Sequence, residues 1–218
     1  MKNFKKVLYL VVFIGYSVSY AGSYEDFFAA ISIDNAPAVS ALLNRGFDPN
    51  SVNPKGQAAL LLSIRQPAPA VAQVLIAHPD TKIEIRSEKD ESPLMLAAIK
   101  GQLELCRQLI ERDADVNKPG WAPLHYAATS GNVQVIRLLL DHYAYIDAES
   151  PNGSTPLMMA AMYGSAQAVK VLLDAGADAT IKNAIGLTAL DFAQKSGHAD
   201  SLALIAAAIR AKKPSASW

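Results

Sequence analysis

The same short pattern returns six times along this chain at intervals close to 33 residues, and that period constrains the fold more than any other feature. Counted from the slot held by Pro156, the equivalents are Asp26, Ala59, Pro93, Pro123 and Ala189. The successive spacings are 33, 34, 30, 33 and 33 residues. One residue after each mark stand Phe27, Leu60, Leu94, Leu124, Leu157 and Leu190, all apolar. Seventeen residues after it stand Leu43, Ile76, Ile110, Leu140, Leu173 and Ala206, again all apolar. Three residues before it, Gly56, Gly120, Gly153 and Gly186 recur where a chain leaving a tight turn needs positive φ.

The stretch from Gly153 to Ala179 shows what one period encodes. Thr155 is an N-cap and Pro156 takes the first helical position, where a missing N–H costs nothing. Leu157, Ala160 and Ala161 make an apolar stripe at helical spacing, and Gly164 ends that helix. Val169, Leu172 and Leu173 mark the inward face of a second helix, closed by Gly176 as a left-handed C-cap. Neither helix can bury its stripe alone, so the unit requires stacked copies.

Three segments carry a family resemblance: Ser92–Gly101 (SPLMLAAIKG), Ala122–Gly131 (APLHYAATSG) and Ser154–Gly164 (STPLMMAAMYG). Together with the period, they resemble the ankyrin repeat, G-x-TPLHxAAxxG…LLxxGAxxN, over about Tyr24 to Ala208. The resemblance implies an all-α solenoid of stacked helix–turn–helix units with short β-hairpin fingers, six repeats over 22–211, the first and last acting as caps. It also implies a protein-binding module without catalysis, cofactor or metal, working through a concave face.

Residues 1–21 stand apart from the repeats. Lys2, Lys5 and Lys6 precede an apolar run from Val7 to Val18, and Ser19-Tyr20-Ala21 is a small-x-small cleavage signature. The run is shorter than the ~20 residues a membrane-spanning helix needs. This reads as a signal peptide cut after Ala21, the alternative being an uncleaved anchor, and it predicts a periplasmic or secreted protein. Removing it leaves 17 basic against 20 acidic residues, a net charge of −3. That balance lacks the basic excess of a nucleic-acid binder and leaves a soluble chain, expected to be a monomer free of the membrane. Lys212 to Trp218 reads as a loose tail.

The departures from the repeat are informative. The first repeat is degenerate, with Asp26 at the mark and Asp34-Asn35 in its inter-helix turn, as expected of a polar terminal unit. In the second, Pro67 and Pro69 lie at and just after the turn, where they re-aim the next helix, and His78-Pro79-Asp80 replaces the glycine ending. A charged run, Arg86 to Glu91, reads as a solvated finger. Between Val116 and Pro123 the finger is three residues short, leaving KPGW. Trp121 then either edges a notch where a partner enters or covers the shortened loop. Cys106 shares its slot with Val39, Ala72, Ile136, Val169 and Leu202, so it faces inward and is inert.

No catalytic constellation has credible spacing. His125 holds the histidine slot of the resembled pattern, where the expected role is a structural hydrogen bond. His78 and His142 share a slot with Arg45 and Arg112 near the end of the second helix, which suits the helix dipole. His198 lies in a turn and reads as solvated. There is no GxGxxG, GKS or GxSxG motif. Asn152-Gly153-Ser154 fits both a glycosylation sequon and a finger-tip turn.

Slots three, six and seven past each mark are expected to face the concave side. On the fourth to sixth repeats they hold Tyr126, Met159, Met162, Tyr163 and Phe192, with Trp121 and Leu187 on adjoining fingers. A contiguous patch of aromatics and methionine marks a binding surface, and these seven residues are the expected partner site. The competing reading packs the slot-three side chains between neighbouring helices. The partner is expected to be a protein, and three further roles stay open. These are an accessory factor protecting an exported enzyme, a secreted effector binding a host protein, and a small-molecule binder or enzyme using the groove.

Overall fold

The computed structural model describes residues 22–212, so the signal-like segment lies outside the described residues, as does the tail apart from Lys212. Twelve helices and no strand occur among the described residues. The first, α1, spans residues 22–32. It is followed by α2 (Ala36–Asn44), α3 (Ala59–Arg65), α4 (Pro69–Ala77), α5 (Pro93–Ile99) and α6 (Leu103–Glu111). Then come α7 (Pro123–Ser130), α8 (Val133–Asp141), α9 (Pro156–Tyr163), α10 (Ala166–Asp174), α11 (Ala189–Lys195) and α12 (Ala199–Lys212). Five of the six marks are the first residue of their helix; Asp26 instead lies inside α1. Lys212, read as the start of the tail, closes α12.

Helices of 7 to 9 residues, such as α2 to α11, are too short to stand alone in water. Their sequences supply caps in place of length. Ser92, Thr155 and Thr188 accept hydrogen bonds from the backbone N–H of Met95, Met158 and Asp191. In the third to sixth repeats the residue two past the mark reaches back to the N-cap N–H: the sulfur of Met95, Nδ1 of His125, the sulfur of Met158 and the carboxylate of Asp191. Where the N-cap is Ser92, Thr155 or Thr188, the pair satisfies two donors that a helix start otherwise leaves open; at Ala122, which has no side-chain acceptor, His125 satisfies one. The Asp191 bonds with Thr188 hold its carboxyl below the usual range.

The chain forms two compact units, one ending at Lys82 and one starting at Ile83. The boundary falls where the second repeat loses its glycine ending. In the first unit α4 packs on both α2 and α3. Phe27, Ile31, Val39, Ile64 and Leu75 are fully buried, and the Phe27 and Phe47 rings lie 4.5 Å apart. Asp34 is not a solvated cap residue. Its carboxylate accepts from the N–H groups of Ala70 (3.3 Å) and Val71 (2.8 Å) at the start of α4, whose own N-cap, Ala68, has no side-chain oxygen to offer. The first repeat therefore caps a helix of the second.

The second unit is two rows of helices. In one row α5 packs on α7, α7 on α9 and α9 on α11; in the other α6 packs on α8, α8 on α10 and α10 on α12. Each first helix also packs on its own second helix. The first-row helices approach closely because the slot four past the mark is always small. In this unit it holds Ala97, Ala127, Ala160 and Ala193, all without exposed surface. In the second row the fully buried slot lies sixteen past the mark, at Leu109, Leu139, Leu172 and Ile205, while the apolar residue after it is half-buried.

The expected β-hairpin fingers close as turns, not strands. Asn53, Ser87, Ser150 and Asn183 each donate one backbone bond to the residue four further on, and the only described bridge is Val52 with Ala58. One such bond is too short a ladder to make a strand. The four finger glycines do take positive φ, between 71° and 77°. At the opposite end of each repeat a side chain ties consecutive loops together. Asn50 bonds the carbonyl of Asp80 and the N–H of Lys82, Asn117 does the same to Tyr143 and Tyr145, and Asp147 accepts from the N–H of Asp178.

Candidate partner-binding surface

The expected site lies entirely in the second unit. Tyr126 sits on α7, Met159, Met162 and Tyr163 on α9, and Phe192 on α11, three helices packed side by side. Trp121 and Leu187 lie on the fingers before α7 and α11. Exposure separates the seven. Tyr163, the last residue of α9, is 58% exposed. Trp121, Tyr126, Met162, Leu187 and Phe192 are half-buried. Met159 is only 7% exposed, so it packs within the row and offers a partner almost no surface. In slot three the close approach of neighbouring helices wins at Met159 and leaves part of Tyr126 and Phe192 uncovered.

The shortened finger is tied to the one before it. Lys118 pairs with Asp90 of the preceding finger, and that bond holds the Asp90 carboxyl below its usual range. A Cβ at Gly120 would stand 3.5 Å from Pro151 of the following finger. Trp121 meets the His125 ring edge-on, with centroids 5.3 Å apart. It therefore covers that histidine as well as edging the patch.

His125 joins two repeats. Its Nδ1 accepts from the N–H of Ala122 at 3.1 Å, so Nε2 carries the proton and donates to the carbonyl of Ser154 at 2.9 Å. Burial is the main cause that holds the imidazole below its ordinary 6.5, opposed by these backbone bonds. His198 is not solvated as its turn position suggests: Nδ1 lies 3.0 Å from the carbonyl of Ala161 on α9. His78 and His142, with Arg45 and Arg112, are C-cap residues as their shared slot implies. Cys106 is buried, and desolvation pushes its thiol up to about 12, which keeps it unreactive. Ser154 of the sequon is buried, and Asn152 accepts from Ser150 and from the N–H of Ser154, so the segment serves as a turn.

Two exposed features were not anticipated. Ile185, 76% exposed, sits at the tip of the finger that carries Leu187 and extends the apolar patch. An apolar residue inside an Asn-x-x-Gly turn has no core to enter, and that was the signal available. On the loop after α8, Tyr143 is 85% exposed and holds φ +63°, a position filled by glycine at Gly46 and Gly176. A left-handed backbone strains any residue with a Cβ. Tyr143→Gly is therefore expected to raise stability by about 0.5–1 kcal/mol, net of the entropy glycine adds to the unfolded chain, read as a higher urea midpoint.

Among the described residues no group of three His, Cys, Asp or Glu is placed to hold a metal ion, and no helix is long and apolar enough to cross a membrane. What the surface offers is aromatic and thioether area on a scaffold of packed helices.

Comparison with known proteins returns the same periodicity. Family models described as ankyrin repeats match residues 27–119, 71–150 and 139–193. The chain is 41% identical over 68 residues to ankyrin repeat and SAM domain-containing protein 6 of Rattus norvegicus, covering 29% of this chain and 8% of that one. It is 33% identical over 123 residues to neurogenic locus notch homolog protein 2 of Homo sapiens, covering 55% and 5%. It is 39% identical over 71 residues to the 2-5A-dependent ribonuclease of Mus musculus, covering 31% and 10%. The match therefore spans a tenth or less of these relatives.

Proposed function

Because this chain belongs to the ankyrin-repeat family, whose members are in general protein-interaction modules, we propose that it is a non-catalytic binding module acting through the first-helix face of its second unit. One observation carries the reading. Tyr163 is exposed and Met162 partly so on the same helix, beside Tyr126 and Phe192 on the helices packed against it. Burying such groups in a soluble fold would stabilise it, so their exposure fits a surface kept for a partner. The helices are held by caps and by close packing, so the surface is preformed and loses little conformational entropy on binding. Trp121, Leu187 and Ile185 widen it from the fingers. The signal-like segment supports action in the periplasm or outside the cell, and a single chain carries the whole surface.

The test is capture with the mature chain, Gly22–Trp218, from the exported fraction of the producing organism. A second bait carries Tyr126→Ala, Met162→Ala and Tyr163→Ala, with circular dichroism confirming its fold. A partner held by the first bait should be lost from the second by tenfold or more, since aromatic anchors at such sites contribute about 2 kcal/mol each. A partner held equally by both refutes the site. A Met162→Ala, Tyr163→Ala pair keeps the result readable if the half-buried Tyr126 proves necessary for folding.

A further inference from the structure

The outward face of the first repeat is apolar where a terminal repeat needs to be polar. Between α1 and α2 runs a groove of about 460 Å³ with Ala29, Ala30, Ile33, Ala38 and Leu42 among its lining residues. Ile33 is 73% exposed. The slot of Ala38 is buried in every later repeat, at Val71, Leu105, Val135, Ala168 and Ser201, yet Ala38 itself is partly open. The polar residue that could have covered this end, Asp34, is turned to the start of α4. The floor of the groove has the small, apolar character of an internal repeat surface, and its charged lining residues are Asp26 and Arg45.

We infer that this groove pairs with the same groove of a second copy, forming a weak two-fold dimer through α1 and α2. The rim charges select that occupant. Asp26 near the start of α1 and Arg45 at the end of α2 both line the groove, and a short turn makes the two helices antiparallel, so both charges lie at one end. A two-fold axis parallel to the helices lays α1 of one copy over α2 of the other. Each Asp26 then faces the second copy's Arg45, and the closed symmetry limits assembly to two. One groove falls well short of the roughly 20–30 residues a side of a stable interface, so the dimer forms only at high concentration and the chain is a monomer when dilute.

Sedimentation velocity of the mature chain from about 5 µM to about 500 µM tests this. The expected result is a reversible monomer–dimer equilibrium. Ile33→Asp should weaken it at least tenfold with no change in circular dichroism or midpoint temperature, because the side chain is already in solvent. Asp26→Arg alone and Arg45→Asp alone should each weaken it, and the double reversal should restore it. A monomer throughout overturns the proposal and leaves the groove to residues 1–21 or to a foreign partner. Assembly beyond a dimer, a dimer indifferent to Ile33→Asp, or single reversals without effect would each overturn it as well. Capture by the second unit is measured separately, so failure here leaves that reading intact.

Discussion

His125→Ala is expected to cost about 3 kcal/mol of stability and to remove the loss of stability that its imidazole causes as pH falls below 6.5. The cost has three sources. The N–H of Ala122 loses its acceptor, the carbonyl of Ser154 loses its donor, and the Trp121 ring loses the edge it packs on. Orphaning a buried polar group costs about 1–3 kcal/mol, so two such losses outweigh anything gained by shrinking the side chain. The pH effect follows from the same geometry. Nδ1 must accept from Ala122, so a second proton on the ring breaks that bond in an already buried site. The folded imidazole therefore titrates below 6.5, whereas in the unfolded chain it titrates near 6.5. As pH falls through 6.5 the unfolded state takes up a proton that the folded state refuses. The folded state loses stability by up to about 1.4 kcal/mol per pH unit, until the folded ring itself titrates. Above 6.5 the term vanishes. Urea denaturation of wild type and His125→Ala across this range checks both parts. Equal slopes in the two proteins would refute the assignment. The depressed carboxyls of Asp178 and Asp191 act in a lower window, below their ordinary 3.8, and do not confuse the comparison.

Gly164→Ala should be nearly as damaging, at about 2–3 kcal/mol, for a different reason. Gly164 ends α9 with φ −83° and ψ −170°, an ordinary extended backbone that any residue adopts. The difficulty is space. A Cβ there would stand 2.7 Å from the carbonyl oxygen of Ala128 on α7 and 2.9 Å from that of Ala160 on α9. Both obstacles are backbone: relief of the first requires α7 and α9 to separate, and relief of the second requires the end of α9 itself to shift. Gly176→Ala is the matched control. Its φ is +102°, but a Cβ there meets nothing within 4 Å, so it should cost only the left-handed strain of about 1–2 kcal/mol. Because Tyr163 immediately precedes Gly164, the Gly164→Ala protein should also lose partner capture. The two variants are ranked by denaturant midpoint; a Gly164→Ala protein no less stable than Gly176→Ala would contradict the close approach.

The repeat was legible because stacking imposes the same demand every 33 residues. The marks located five helix starts to the residue, and Thr155, Gly176 and the finger glycines took the conformations their chemistry requires. His125 was legible as a structural hydrogen-bonding residue through its slot. The expected binding surface was legible only as slots on a helix. Slot three holds Met159 and Tyr126 alike, and nothing in their local sequence says that one is buried and the other half-open. His198 was misread as solvated, and the partners of Asp34, correctly placed in its inter-helix turn, were not legible, for the same reason. Each sits in a polar turn, but its partner is 36 or 37 residues away in the next or preceding repeat.

By itself the sequence determined the period, five of the helix starts, the Thr155 cap and the positive φ of the finger glycines, because these depend on bonds within a few residues. Only the tertiary structure decided how closely α7 and α9 approach, which carbonyl His198 meets, that Lys118 ties the short finger to Asp90, and that the first repeat presents an apolar groove. Those outcomes depend on the distance between helices in different repeats. That distance is set by small side chains packing collectively, and no single repeat encodes it.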